Sequence, residues 1–398
     1  MCFFKKRSQL LDKVSGVETY GNLMFYVLLC IFLIMQFSSG TMIYESYLTA
    51  DFPYEVIMIV SFILAVKIFL MDEFSSLQEM SLYLSFGLLL WISCKLAETY
   101  DIVYYYIFIV GARNKDFKVI TRIFLLTISV SLLITIISAK IGLLLGLTIG
   151  RTDDTVIRYA LGTVYPTDLA ARTFYLQLMY VVLRKFKLTI PEFIAGFAFS
   201  IMMYIITDTR VDAALMIATL FIAIGYKYAM SILDFLGNKV LILLGMLSVF
   251  GMIGLTYIYT PKIGILRIVD KLLSTRLQNG HGAFENYNVT MFGQYIFQQG
   301  NGGLHTKPFH YFFIDCTFIR VLMMNGLVVF MLFMWGLCYM LKRFMNNRAY
   351  SLVWALILIV ISSLIDHHMT ELSFNIIFLA MFSNISYFIE YKENKKIV

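Results

Sequence analysis

Runs of apolar residues long enough to cross a lipid bilayer limit how this chain can fold more than any other feature. A membrane-spanning α-helix needs roughly 20 mostly apolar residues, and residues 239–259, for instance, contain a single charged side chain, Lys239. Of the 398 residues, 60% are hydrophobic and 14% are charged, whereas soluble proteins carry about 25% charged residues. We therefore expect a polytopic membrane protein, and the composition excludes a secreted, a disordered or a nucleic-acid-binding protein.

The apolar runs predict an all-α fold of about twelve transmembrane helices, which form a single integral membrane domain over residues 1–398. The fourth run is short, and we expect a broken or tilted helix there. The predicted spans are residues 22–38, 55–71, 80–95, 101–112, 119–139, 168–184, 192–207, 211–228, 239–259, 319–341, 349–365 and 371–389.

The basic residues indicate how the chain is oriented. With twelve spans, 19 of the 32 lysines and arginines fall in the termini and in alternate loops, and cytoplasmic loops collect such residues. Both termini are therefore expected in the cytoplasm, and the first span is expected to remain as an anchor. Two long loops, 140–167 and 260–318, then lie outside the cytoplasm, the larger one between spans nine and ten. Loops of this length usually have a function.

Charged residues gather at the ends of the spans on the predicted outer side, where a charge is energetically unfavourable and usually functional. Arginine offers a planar fork that binds phosphate oxygens in pairs, and helix N-termini on that side carry partial positive charge. The pattern predicts a diphosphate-binding cavity at the outer membrane surface. The candidate residues are Asp168, Arg172, Asp208, Arg210, Asp212, Arg276, Asp315, Arg320, Asp366, His367, His368 and Glu371.

Each of three arginines in this set could instead form a structural ion pair with a nearby carboxylate. Arg172 could pair with Asp168, and Arg210 could pair with either Asp208 or Asp212. Arg320 could pair with Asp315. These structural roles stay open as alternatives to diphosphate binding.

Other polar residues are expected to have structural or solvent-exposed positions. Arg151 and Arg158 in the smaller loop are expected to be solvated or bound to lipid headgroups, and His281 in the larger loop is expected to be solvated. The five cysteines contain no CxxC pair, the five histidines contain no HExxH motif, and the outer loops contain no DxD-like pair of aspartates. We therefore expect no metal, no other cofactor and no disulfide framework.

Several short strings form a series of landmarks along the chain. They are Thr-Asp-Leu-Ala-Ala-Arg-Thr-Phe-Tyr at 167–175, Thr-Asp-Thr-Arg-Val-Asp at 207–212, Leu-Ser-Thr-Arg-Leu-Gln-Asn-Gly at 273–280, Ala-Phe-Glu-Asn-Tyr at 283–287, Met-Phe-Gly-Gln at 291–294, Ile-Asp-Cys-Thr-Phe-Ile-Arg-Val-Leu at 314–322, Asn-Gly at 325–326 and Asp-His-His at 366–368. In this order they resemble the Wzy-type polymerases, which join oligosaccharide repeat units of bacterial capsules, exopolysaccharides and O-antigens. The resemblance covers most of the chain.

The resemblance implies a GT-C-like membrane glycosyltransferase in the bacterial cytoplasmic membrane. The donor would be the growing glycan on polyprenyl diphosphate, and the acceptor would be the incoming lipid-linked repeat unit. Arg172, Arg210 and Arg276 would stabilise the departing diphosphate without a metal. Beyond the membrane lipids, the partners that this class suggests are a chain-length regulator and a flippase.

A glycosyl transfer also needs a group that takes the proton from the attacking hydroxyl. Asp315 is the first candidate, because the related O-antigen ligases often have a histidine at its position. A salt bridge from Arg320 would lower the pKa of Asp315 and make it a weaker base. The other candidates are His310, Glu371, His367 and His368.

Two alternative functions remain open at the level of the sequence. A polysaccharide ligase would share the architecture and the donor chemistry. A lipid-linked oligosaccharide flippase, or another transporter, would carry charge through the depth of its bundle and often has paired repeats with broken helices. In this chain the charge is concentrated on one predicted side, which favours the polymerase.

Overall fold

The computed structural model describes residues 17–48, 51–150, 156–300 and 311–390, and 73% of the protein is helical. The α-helices are α1 Val17–Ser39, α2 Met42–Tyr47, α3 Phe52–Met71, α4 Leu77–Ala97, α5 Asp101–Gly111, α6 Phe117–Lys140, α7 Pro166–Leu183, α8 Ile190–Thr207, α9 Arg210–Ile224, α10 Tyr226–Tyr257, α11 Gly264–Leu272, α12 Arg276–Asn286, α13 Thr317–Asn346 and α14 Tyr350–Ser363. An antiparallel pair of strands, β1 Thr148–Gly150 and β2 Ile157–Tyr159, lies between α6 and α7.

Seven of the described helices are long and apolar enough to cross a membrane, namely α1, α3, α4, α6, α8, α10 and α13, while α5 and α14 are apolar but shorter. This composition confirms the expected helical membrane fold in its coarser form. Helices α7 and α9 overlap two further predicted spans, so eleven of the twelve predicted segments coincide with α-helices in the described part of the chain.

The twelfth predicted span, 371–389, is not an α-helix, and that prediction was wrong. The segment contains two short 3₁₀ turns, Ile377–Met381 and Ser386–Phe388. A polar side chain in this region occupies backbone groups that an α-helix would use for its own hydrogen bonds. Asn375 accepts a hydrogen bond from the backbone N–H of Ile377 at 3.0 Å and donates one to the carbonyl of Met369 at 2.9 Å. Irregular backbone at membrane depth is tolerated where protein surrounds it, and residues 372–381 of this segment are all buried. Its apolar character therefore reflects burial inside the bundle.

Helix α14 occupies the centre of the bundle. It contacts α7, α9, α10 and α13, and most of its side chains are buried. On either side of it, α1 packs on α3 and α6, and α7 packs on α8 and α9. The residues that directly follow α14 therefore lie in the middle of one end of the bundle.

The two long loops have more structure than the sequence indicated. Loop 140–167 contains the strand pair, in register with Ile149 opposite Arg158, and loop 260–318 contains α11 and α12. The larger loop is also tied to α13, which includes a π-turn at Val321–Asn325. Gly293 and Gly326 both have positive φ, and a Cβ at Gly326 would lie 2.4 Å from the backbone nitrogen of Gly293, so two glycines permit this close backbone approach.

Candidate active site

A polar cavity of about 780 Å³ opens at one end of the bundle, which we call the cavity end. Its wall includes the ends of α1 and α14, the beginnings of α3, α5, α7, α9 and α12, and the strand pair. The segment just before α13 and the segment that follows α14 complete it. Helix N-termini carry partial positive charge and unpaired N–H groups, which favour an anion. Because the helices alternate in direction, charged residues far apart in the sequence meet at this end.

Most of the residues singled out from the sequence line this cavity. Asp208 and Arg320 are not among its lining residues, and Asp208 instead ends α8 in a left-handed conformation. His310 lies outside the described residues. The predicted residues in the wall are Asp168, Arg172, Arg210, Asp212, Arg276, Asp315, Asp366, His367, His368 and Glu371.

Arg276, the first residue of α12, forms an ion pair with Asp315, which lies just before α13. The guanidinium Nη1 donates a hydrogen bond to Oδ2 of Asp315. The structural pair that the sequence allowed between Asp315 and Arg320 is not formed. Arg320 instead donates to Oε1 of Gln298 at 3.0 Å and lies over the ring of Phe313, 5.1 Å from its centroid.

Burial raises the pKa of Asp315 above its ordinary value. The charges of Arg276 and Arg320 and a hydrogen bond from Asn279 act in the opposite direction, but burial outweighs them. The salt bridge from Arg320 that would have lowered the pKa of Asp315 is not formed, and burial has the larger effect. A carboxylate whose pKa lies closer to neutrality is better matched to general-base catalysis.

Arg172 is buried and forms no ion pair within the described part of the chain. Its guanidinium lies between the rings of Phe37 and Phe374, 4.5 and 3.9 Å from their centroids, and only 1% of the residue is exposed. Its Nε and Nη1 atoms have no hydrogen-bond partner, and among the described residues no ion pair joins it to Asp168. Gly40 makes room for it, since a Cβ there would lie 2.7 Å from Nη2. A buried, cavity-lining guanidinium with unused donors is suited to binding an anion.

Around His368 lies what we call the histidine cluster, composed of Asp168, Asp366, His367, His368 and Glu371. The His368 Nδ1 atom is 2.9 Å from Glu371, and its Nε2 atom is 3.6 Å from both Asp168 and Asp366. Burial acts to lower the pKa of His368, but the carboxylates of Asp366 and Glu371 and the hydrogen bonds with Asp168 and Glu371 raise it well above its usual value. Burial, followed by the charge of His368, holds the pKa of His367 well below its usual value. The surroundings therefore favour the protonated form of His368 and the neutral form of His367.

Three members of the histidine cluster also form a potential set of metal ligands. The ligand atoms of Asp366, His367 and His368 lie within 4.8 Å of one another. The three residues are consecutive in the chain and match neither an HExxH motif nor a DxD pair, so no metal motif of the sequence indicated them. His368 could coordinate a metal only after losing the proton that the surrounding carboxylates stabilise.

Two further arginines reach the cavity from different elements. Arg210, the first residue of α9, is exposed in its wall, and no ion pair with Asp208 or Asp212 is found among the described residues. Arg158 was expected to be solvated or bound to headgroups, but β2 places it in the same wall, where its Nε donates to the carbonyl of Thr207 at 2.7 Å. Only the strand pairing positions Arg158 there, and no sequence signal indicated it.

Asp101 and Gln36 are lining residues that the sequence analysis did not identify. Gln36 donates to Asp101 at 3.2 Å and accepts from the backbone N–H of Ser373 at 2.8 Å. It thereby links the end of α1 to the beginning of α5 and to the segment after α14. Two features of the sequence could have indicated these residues. Gln36 is a polar residue near the end of the first apolar run, and Asp101 begins the short fourth run.

An apolar groove of about 310 Å³ lies beside the polar cavity. It is formed by α4, α5, α13 and the irregular segment that ends the described chain. Its lining includes Leu82, Phe86, Leu90, Ile102, Phe333, Trp335, Thr370 and Phe378. At two places, residues that are adjacent in the chain line different spaces. Asp101 and Glu371 line the cavity, whereas their neighbours Ile102 and Thr370 line the groove. The two spaces therefore share a wall.

Comparisons with protein-family models, with curated proteins and with solved structures find no match. The chemistry of the cavity accordingly rests on its own geometry. Its lining combines four arginines and a histidine with a raised pKa with six carboxylates. The basic residues are Arg158, Arg172, Arg210, Arg276 and His368, and the acidic residues are Asp101, Asp168, Asp212, Asp315, Asp366 and Glu371. Such a mixed site can both bind an anion and accept a proton.

Proposed function

We propose that this protein is a polysaccharide polymerase, a membrane glycosyltransferase that joins polyprenyl-diphosphate-linked oligosaccharide repeat units. The observation that carries the proposal is one cavity that contains both the buried guanidinium of Arg172, with unused donors, and the buried carboxylate of Asp315. The resemblance of the sequence strings to Wzy-type polymerases supports the same class.

The departing group in this reaction is polyprenyl diphosphate, on which negative charge develops. Arg172 has guanidinium donors without a hydrogen-bond partner among the described residues, and Arg210 and Arg276 line the same cavity at the N-termini of α9 and α12. Fixed cationic donors at the place where charge develops lower the barrier without reorganisation. No metal is required for this role in the proposed mechanism.

The acceptor hydroxyl oxygen attacks the anomeric carbon of the donor sugar. The bond from that carbon to the diphosphate oxygen breaks, and the hydroxyl proton passes to the carboxylate of Asp315. The products are a glycan one repeat unit longer on its lipid carrier and a free polyprenyl diphosphate. The raised pKa of Asp315 favours this assignment over Glu371, whose pKa, although burial acts to raise it, is lowered by its contact with His368.

The apolar groove provides a place for the lipid tail of the donor. From Glu79 to Leu90 its α4 wall extends about 16 Å at 1.5 Å per residue. An amphiphile with its diphosphate in the cavity and the first part of its isoprenoid chain in the groove would satisfy both surfaces. A water-soluble nucleotide sugar would leave the groove unused.

We further propose that the cavity end faces the outer side of the bacterial cytoplasmic membrane, with both termini in the cytoplasm. Exposed Gln278 on α12 offers a test, because a cysteine there should react with an impermeant maleimide in intact cells. A cysteine at Asn347, in the connection between α13 and α14, should react only after the membrane is disrupted.

The experiment that tests the proposed reaction measures free polyprenyl diphosphate. Purified protein in vesicles is incubated with a synthetic polyprenyl-diphosphate-linked repeat unit. We expect one diphosphate lipid to be released for each bond formed. A flippase would move the substrate across the bilayer and release none, and a ligase would release it only when a different acceptor is supplied.

A further inference from the structure

Helix α11 in the larger loop carries an exposed apolar stripe. Ile265, Ile268 and Leu272 lie on one helical face, and their exposed fractions are 74%, 62% and 75%. Beside this stripe, Arg267 and Lys271 are also exposed and form a basic stripe. A short helix with adjacent apolar and basic faces is typical of segments that lie in the plane of a membrane surface.

The opposite side of α11 is fixed to the protein by a buried aspartate. Asp270 is 4% exposed, and its Oδ1 accepts hydrogen bonds from the backbone N–H groups of Leu277 at 2.9 Å and Gln278 at 3.1 Å. Its Oδ2 accepts from the hydroxyl of Tyr259 at 3.2 Å. Asp270 therefore satisfies free N–H groups in the first turn of α12, as a capping residue does.

The position of α11 in the chain argues for lipid as the covering partner. Membrane-length helix α10 ends at Tyr257, and α11 begins at Gly264. Ile258 and Ile263 in the connection between them are exposed as well. An apolar stripe this close to the point where α10 leaves the bilayer lies near the boundary of the acyl chains. The basic stripe beside it complements anionic headgroups.

We propose that α11 lies in the bilayer surface at the cavity end and, through Asp270, holds α12 in position. Ile265, Ile268 and Leu272 insert among the upper acyl carbons, and Arg267 and Lys271 bind the phosphates of anionic lipids. Since Arg276 is the first residue of α12, the membrane surface becomes one of the supports of the polar cavity. This role does not depend on the reaction that the cavity performs.

The test uses the full chain, with its five cysteines replaced, in vesicles of phosphatidylcholine with or without phosphatidylglycerol. A bimane fluorophore is attached to a cysteine at Ile268, and a control protein carries it at exposed Gln278 on α12. We expect lipids brominated near the headgroup to quench bimane at 268 and aqueous iodide to leave it bright, with the reverse at 278. Quenching of bimane at 268 by iodide alone would overturn the proposal. Protection of this label from both quenchers would also overturn it, because it would indicate that protein covers the apolar stripe.

Charge dependence tests the basic stripe. Phosphatidylglycerol should increase quenching by brominated lipid at 268, and an Arg267→Gln, Lys271→Gln double variant should lose that increase. Equal quenching with and without phosphatidylglycerol in the parent protein would exclude recognition of anionic headgroups.

The connection to α12 is tested with the label at 278. Asp270→Ala removes the acceptor and should lower the fluorescence anisotropy of that label, whereas Asp270→Asn retains a carbonyl oxygen and should largely preserve it. The label at 268 should remain quenched by brominated lipid in both variants, which reports that the proteins are folded. Unchanged anisotropy in Asp270→Ala would contradict the proposed support of α12.

Discussion

The carboxylate of Asp315 is paired with the guanidinium of Arg276, a residue 39 positions earlier in the chain. The pair joins the first residue of α12 to the backbone just before α13 and lies in the wall of the polar cavity. In the proposed mechanism, the pair places a proton acceptor and an anion-binding group next to each other. These are the two functions that glycosyl transfer from a diphosphate requires.

Replacing Asp315 should separate proton transfer from donor binding. Asp315→Asn keeps the size of the side chain but removes the base, so turnover should fall by about 10²–10⁴-fold while lipid-linked donor still binds. The matched control is Asp208→Asn, because Asp208 is outside the cavity lining. Turnover and donor binding are measured separately on purified protein. Near-normal turnover would move the search for the base to His310, His367, His368 and Glu371.

The unpaired guanidinium of Arg172 should be sensitive to its surroundings as well as to its own replacement. Arg172→Lys retains charge but loses the fork, and hydrogen bonds to charged groups contribute about 1.5–3 kcal/mol, so donor affinity should fall roughly ten- to a hundredfold. Gly40→Ala should weaken donor binding in the same direction, because the new Cβ would displace the guanidinium.

The control for the glycine variant is Gly251→Ala in α10, where a Cβ meets no atom within 4 Å. Its donor affinity should equal that of the parent protein. If both Arg172→Lys and Gly40→Ala bind donor normally at unchanged protein abundance, Arg172 has no part in anion binding.

The histidine cluster should make the stability of the protein depend on pH. The folded-state pKa of His368 is raised well above its unfolded value of about 6.5. Its contribution is therefore complete below about pH 6.5 and is lost as the pH rises through the folded-state value. The apparent unfolding temperature should fall in alkaline buffer, and His368→Gln should flatten that part of the curve. His281→Gln, outside the cavity lining, is the control, and an unaltered curve in His368→Gln would contradict the account.

A chelator distinguishes the arginine mechanism from one that uses the potential metal ligands. We expect EDTA to leave turnover unchanged, because Arg172, Arg210 and Arg276 supply the positive charge in the proposed mechanism. Loss of turnover that Mg²⁺, Mn²⁺ or Zn²⁺ restores would contradict this. It would instead assign a metal to Asp366, His367 and His368.

The length of the apolar runs predicted most helices, because crossing a bilayer fixes the number of residues. The same rule failed at 371–389, since a segment buried inside the bundle has the composition of one that faces lipid. Charged strings at helix ends indicated most of the charged and histidine residues of the cavity wall. The pairing of Arg276 with Asp315 could not be predicted, because it depends on the path of a long loop, and Arg158 reaches the wall only through strand pairing.

The length distribution of the products tests the central claim most directly. Purified protein in vesicles is supplied with a single polyprenyl-diphosphate-linked repeat unit, and the glycans are separated by size over time. We predict a ladder of lipid-linked products that differ by one repeat unit, formed by the parent protein and lost in Asp315→Asn. Products that never exceed the supplied unit, from protein shown to bind the donor, would contradict the assignment as a polymerase.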